Sequence, residues 1–160
     1  MDRWHNMYED GCAFFCTATV SEWRPLMNQA AIETLYDTWE QCRTNNNVKV
    51  LGYCVMPNHV HFMLWSELGA NVRQFLHTMT GLTSKKLQPG GGFWKERPRA
   101  VPIYSRQVFL TKLDYLHRNP VRAGLVTDPA DWLHSSFRQI VLGQVCSGFT
   151  CDDLSVLPIR

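Results

Sequence analysis

Two histidines one residue apart, His59 and His61, stand in the apolar run "CVMPNHVHFML" at residues 54–64. Imidazole nitrogens ligate divalent cations and carry protons near neutral pH. In an extended strand the side chains alternate, so His59, His61, Met63 and Trp65 share one face while Val60, Phe62 and Leu64 share the other. Strand rise sets the two imidazole-bearing Cβ atoms about 7 Å apart, a spacing that lets both rings converge on one ion. A His-x-His pair in an arbitrary strand is, however, more often two solvent-exposed or hydrogen-bonded imidazoles than a metal site. Two nitrogens do not fill the octahedral shell of Mg²⁺ or Mn²⁺, which also takes oxygen donors.

A second group lies in "RQVFLTKLDYLHRNP", residues 106–120. Helical spacing makes Phe109, Leu113 and Leu116 a core stripe, with Val108, Lys112, Tyr115 and Asn119 on an adjacent face. Tyr115 and Asn119 are four apart and therefore neighbours one turn from each other. Tyr115 either packs at the margin of the stripe or presents a phenol between an ammonium and a carboxamide. Asn119 either terminates the helix before Pro120 or supplies an oxygen donor. His117 lies nearly opposite Asn119 around the helix and stays outside this group.

The elements that would carry these residues follow from periodicity. "GCAFFCTATV" is β-branched and aromatic and reads as a buried strand. Asn28 can cap a helix of about four turns through "QAAIETLYDTWEQCR", closed by "TNNN". "VKVLGYCVM" and "HVHFMLW" read as a hairpin turning at Pro57-Asn58. A second helix is expected from about Asn71 into Lys85-Lys86, broken by "QPGGG". "FWKERPRAVPIY" has strand-like ends but carries prolines, which confines it to a sheet edge or an irregular path. Ser105 can cap the third helix, which is expected to end near Pro120 because the residue before a proline disfavours the helical region. This order of strand, helix, hairpin and helix fits an α+β, ferredoxin-like antiparallel sheet with helices on one face. The histidines would face away from those helices.

The 160 residues, 45% apolar and 19% charged, are enough for one domain with its own core and exclude a disordered or fibrous chain. Residues 141–160 match no recognisable pattern and are read as a tail. No apolar run is long enough to cross a bilayer, and "MDRWHNMYEDG" lacks the layout of a signal peptide. The six cysteines, at 12, 16, 42, 54, 146 and 151, show neither a CxxC pair nor zinc-ribbon spacing. Free buried thiols in a reducing, cytoplasmic setting are therefore expected.

Net charge is only +2, yet its distribution is uneven. Residues 85–122 hold nine Lys/Arg against two Asp/Glu, while the segments before and after carry −3 and −2. Such a segment suits a polyanion, since each neutralised phosphate releases counterions, and it equally suits a solvated basic face.

"MPNHVHFML", followed about fifty residues later by "YLHRNPVRAGLV" and then "WLHSSFRQ", resembles the HUH single-tyrosine transposases. Within them it is most similar to the branch of REP-associated tyrosine transposases, in the insertion-sequence 200-like superfamily. The resemblance spans roughly residues 12–140 and implies that the nucleophile-bearing helix lies near the other face of the sheet, on the histidine side. It implies that His59 and His61 hold a divalent metal, Mg²⁺ or Mn²⁺, that Tyr115 is the nucleophile, and that Asn119 completes the metal shell. It further implies cleavage and joining of single-stranded DNA hairpins, such as repetitive extragenic palindromes, through a 5′-phosphotyrosine bond and without a nucleotide cofactor. The nearest branch implies a monomer, whereas related insertion-sequence enzymes are dimeric. On this view Lys85, Lys86, Lys95, Arg97, Arg99, Arg106, Lys112, Arg118 and Arg122 are the candidates for tracking the DNA backbone. Phe93, Trp94 and Tyr104 are candidates either for stacking on bases or for the core. Two rivals remain at this level: a non-catalytic module that binds single-strand or hairpin nucleic acid, and a hydrolytic metalloenzyme acting on a small phosphoester.

Overall fold

The computed structural model describes residues 6–145 and 148–158. Four strands form one sheet: β1 (Ala13–Thr19), β2 (Lys49–Val55), β3 (His59–Trp65) and β4 (Arg99–Ile103). Their order is β2-β3-β1-β4 and every pairing is antiparallel. With helices α1 (Gln29–Asn46) and α2 (Gly69–Leu87) between strands, this is the expected ferredoxin-like α+β arrangement. The third helix, α3 (Arg106–Arg122), packs on the opposite side of the sheet from α1 and α2.

Strand alternation sorts the core into two layers. Phe14, Cys16, Val50, Tyr53, Val60, Phe62 and Leu64 meet Leu35, Trp39, Phe75 and Met79 of α1 and α2. On the other face Phe15, Leu51, Cys54 and Met63 meet Phe109, Leu113 and Leu116, the stripe expected for α3. Burying each such side chain contributes about 1.5–3 kcal/mol. The histidine face is consequently the floor beneath α3 rather than an open sheet surface.

Close approach of α3 depends on Gly52, where β2 shifts register against β3 between Val50 and Gly52. A Cβ at position 52 would lie 2.6 Å from Leu113 Cδ1. Gly52→Val is expected to cost about 1–3 kcal/mol by overpacking. It would also lift α3 from the sheet; chemical denaturation and DNA-cleavage assays on the variant check both effects.

Several boundaries differ from the sequence expectation. α2 begins at Gly69 rather than near Asn71, because its cap comes from far away: Gly69 N donates to Asp10 Oδ1 at 2.8 Å. α3 runs past Pro120 to Arg122 instead of ending before it. Pro120 removes one N–H, but the turn is held by Ala123 N donating to Asn119 O, Leu125 N to Pro120 O, and the Arg122 guanidinium to Tyr115 O. The proline-bearing β4 is indeed an edge strand. The outer side of β2 is covered by residues 134–136: Val55 N donates to His134 O and Ser136 N to Tyr53 O. The tail is not detached where it is described, since Phe149 and Cys151 enter the first core layer and Leu154 and Leu157 pack against the second.

Cys12, Cys16, Cys42 and Cys54 are free and buried, as expected, and Cys151 is buried, while Cys146 lies outside the described residues. Among the described residues no helix is long and apolar enough to cross a membrane.

Candidate functional site

β3 is central in the sheet, so both neighbouring strands fix its histidines. In register, His61 lies between Thr17 of β1 and Cys54 of β2, and His59 lies opposite Thr19. Alternation brings both imidazoles to the α3 face, with ring centroids 4.8 Å apart. His59 Nδ1 lies 2.7 Å from Asn58 Oδ1, and His61 Nδ1 lies 2.9 Å from Thr17 Oγ1. A carboxamide oxygen only accepts, so His59 donates from Nδ1–H and keeps the Nε2 lone pair available. Thr17 can impose the same tautomer on His61 by accepting.

His61 is only 7% exposed. Burial, reinforced by the positive charges of Arg122 and Lys112 and by His59, lowers its pKa to about 3. Burial also lowers that of half-buried His59. Both rings are therefore held neutral, the form that ligates a metal.

α3 carries Tyr115 over this floor. Ser105 caps the helix by accepting from Val108 N, and the stripe of Phe109, Leu113 and Leu116 sets its rotation. The Tyr115 ring then lies 5.8 Å from His61 and 6.0 Å from Phe15, with Phe15 5.2 Å from His61. Tyr115 is 41% exposed, so its edge contacts do not seal it into the core. Arg122 lies 4.0 Å above the same ring and donates to Tyr115 O at 2.9 Å. Lys112 Nζ lies 5.2 Å from the Phe15 ring and 5.8 Å from that of Tyr115. A phenol, two neutral imidazoles and two cations thus share one shallow surface.

Asn119, one turn beyond Tyr115, is half-buried, and its carboxamide makes no hydrogen bond among the described residues. Among those residues no cluster of three His, Cys, Asp or Glu could hold a metal. A hard cation would accordingly need the two histidines together with oxygen from a carboxamide, water or a phosphate. The donor set fits such an ion only in that company.

The nine basic residues do not gather on one surface. Lys112 and Arg122 flank Tyr115. Lys95 lies 5.5 Å from the Trp23 ring, which in turn lies 6.0 Å from His59. Arg99 is in register with Thr17, which places it on the histidine face. Arg97 directly precedes this edge, and Arg106 opens α3. Lys85 and Lys86 end α2 in the helical layer across the sheet, and Arg118 is paired with Asp114 on the exposed side of α3. Of the three aromatic candidates, Phe93 and Trp94 are core residues, while Tyr104 is 64% exposed.

Thr17, Asn58 and Trp23 were not identified from the sequence. Thr17 is legible only through cross-strand register, and the sequence marks Asn58 solely as a turn residue. His117, set aside on the helical wheel, is buried and pairs through Nε2 with Ser136 Oγ at 2.8 Å. It ties α3 to the segment covering β2. Burial lowers its pKa to about 4. As pH falls below about 6.5 the unfolded chain takes up this proton before the folded one does, so stability present above 6.5 is lost down to about 4. The expected loss is about 3 kcal/mol, visible as a falling denaturation midpoint across that window. His117→Gln should flatten the slope while lowering the plateau, leaving the share contributed by His61.

No curated protein sequence matches the chain. One solved structure, of a REP-associated tyrosine transposase bound to a REP hairpin, superposes with a TM-score of 0.73 at 20% identity, over 100% of this chain and 99% of that one. Another, a putative transposase from Deinococcus radiodurans, gives 0.51 at 15% identity over 74% of this chain and 97% of the other. At these identities the likeness concerns the fold. The family model described as "Transposase IS200 like" matches residues 11–114, a stretch that includes both histidines and stops one residue short of Tyr115. With well over half of its length matched, the chain belongs to the family of IS200-like transposases.

Proposed function

We propose that this protein is a metal-dependent endonuclease and strand transferase for single-stranded DNA, acting on REP-like hairpins through a covalent 5′-phosphotyrosine intermediate. The observation that carries the reading is the convergence of Tyr115 on the His59–His61 face, with its ring 5.8 Å from that of His61. Tyr115 lies 54 residues beyond His61 in the sequence, and only the docking of α3 on the sheet joins them. The hairpin held by the structurally similar transposase supports the choice of substrate.

His59, His61 and Asn119 are the residues that would hold Mg²⁺ or Mn²⁺. When bound, the ion supplies charge neutralisation at the phosphate oxygens. Asn58 holds the His59 imidazole in the ligating tautomer, and Thr17 can do the same for His61 by accepting from its Nδ1–H. Lys112 and Arg122 offset the phosphate charge beside the phenol. Tyr115 Oη attacks phosphorus, the bond from phosphorus to the 3′ oxygen breaks, and a 3′-hydroxyl leaves after gaining a proton. The phenolic proton passes to solvent, to which Tyr115 is open. Because the new phosphotyrosine ester conserves the energy of the broken bond, a strand-end hydroxyl can attack it and rejoin DNA without a nucleotide cofactor. Lys95, Arg97, Arg99 and Arg106, on the β4 and α3 side, are suited to the DNA backbone. Lys85, Lys86 and Arg118 would contact only a substrate long enough to wrap around the domain.

The test is incubation of the protein with stem-loop single-stranded DNA and Mg²⁺ or Mn²⁺. A protein–DNA species resistant to denaturant is the expected product. Free cleaved product with multiple turnover and no such species would favour a hydrolytic enzyme instead.

A further inference from the structure

Trp23 is a large aromatic side chain, 53% exposed, at the margin of the histidine site. Its ring meets that of His59 edge-on with centroids 6.0 Å apart. The backbone that presents it is costly. Glu22 and Trp23 are consecutive non-glycine residues at φ 57° and 56°, in the left-handed region. Each such residue costs about 1–2 kcal/mol, and strain of this kind persists where the surroundings impose it.

The surroundings do so from two sides. Val20 N donates to Asn58 O and Met27 N to Pro57 O, fastening the turn to the hairpin loop that carries His59. Ser21 N donates to Phe93 O, and Lys95 N to Thr19 O, fastening it to the segment leading into β4. Trp23 thus has a fixed position relative to His59 although half its surface is open. Burial does not account for that position: Phe93 and Trp94 are core residues, whereas Trp23 is 53% exposed. Lys95 adds a second group: its Nζ sits 5.5 Å from the centre of the Trp23 ring. With the ammonium over one face of the ring, the ring's other face and the ammonium offer groups for the two parts of one nucleotide, the base and its phosphate.

We infer that Trp23 is a stacking platform for one unpaired base of the DNA strand next to the scissile phosphate, with Lys95 on that nucleotide's phosphate. The inference rests on the proposed single-stranded DNA substrate and extends it by a specific contact. Stacking on an aromatic ring tolerates any base, so the platform would select for an unpaired nucleotide and not for a sequence. A base within a duplex offers no free face. The site would thereby distinguish the single-stranded flank of a hairpin from its stem.

The experiment measures binding of a stem-loop oligonucleotide with a 5′ single-stranded flank. It uses a Tyr115→Phe background with chelator present, so that cleavage cannot contribute. One abasic residue is stepped along the flank, and each strand is titrated against protein with Trp23, Trp23→Phe or Trp23→Ala. On the intact strand Trp23→Ala should weaken binding by roughly 5- to 150-fold, and Trp23→Phe should retain most of the affinity. At one flank position the abasic strand should bind the Trp23 protein as weakly as Trp23→Ala binds the intact strand, with no further loss on combining the two. Equal binding by all three proteins, or the same loss from Trp23→Ala at every abasic position, overturns the inference. Adduct formation by the Tyr115 protein on the intact strand is followed in parallel. Trp23-dependent binding without any adduct would reject the phosphotyrosine reading and keep the platform; an adduct with Trp23-independent binding would do the reverse.

Discussion

Tyr115→Phe is expected to abolish the covalent protein–DNA species and to lower strand cleavage by at least about 10³-fold, the scale of loss when a nucleophile is removed. The substitution deletes one oxygen and little else. The ring contacts with Phe15 and His61, and the Arg122 guanidinium above the ring, are all made by the aromatic face or edge. Since Tyr115 is 41% exposed, its hydroxyl is not a buried group whose loss would unsettle the core. Folding and hairpin affinity should therefore be nearly unchanged, which a denaturation curve and a gel shift check. A hydrolytic metalloenzyme would retain turnover in this variant, and a non-catalytic binding module would show no cleavage before or after the change.

The second large effect belongs to the histidines. His59→Ala is expected to lower cleavage by roughly 10²- to 10³-fold, corresponding to the several kcal/mol that a bound ion contributes at a phosphoryl centre. His59 is the cleaner position, because it is less enclosed than His61, which is packed between Phe15 and Tyr115. Thr17→Val provides a graded version. It removes the hydroxyl 2.9 Å from His61 Nδ1 and keeps the β-branched shape that suits β1. Loss of such a supporting bond typically costs 10- to 100-fold in metal affinity, so the Mn²⁺ titration of DNA-free protein should shift by roughly that factor while cleavage recovers at high Mn²⁺. An unshifted Mn²⁺ titration in Thr17→Val and full activity in His59→Ala would remove the metal from the account.

The two halves of the site were legible in the sequence to different depths. Period-2 alternation in "HVHFMLW" was sufficient to put His59 and His61 together and to turn them away from Val60, Phe62 and Leu64, which lie under α1 and α2 as expected. Helical spacing likewise gave the Phe109, Leu113 and Leu116 stripe. What spacing could not supply was the docking of α3 on the sheet, which depends on Gly52 and on long-range packing. The Asp10 cap of α2, the Thr17 hydroxyl at His61 and the Asn58 oxygen at His59 were hidden for the same reason, since each is a contact chosen by tertiary register. Pro120 misled because its local steric rule was outweighed by hydrogen bonds from Ala123, Leu125 and the Arg122 side chain. Counting charge along the chain overstated how concentrated the basic surface is, because Lys85 and Lys86 lie across the sheet and Arg118 is paired with Asp114.

The most direct measurement is mass spectrometry of the trapped protein–DNA species after proteolysis and nuclease trimming. The expected result is a nucleotide mass on the peptide containing Tyr115, joined through a 5′-phosphate to its phenolic oxygen. A nucleotide on any other residue, or none on a protein that nevertheless cuts the strand, would contradict the assignment of Tyr115 as the nucleophile over the His59–His61 floor.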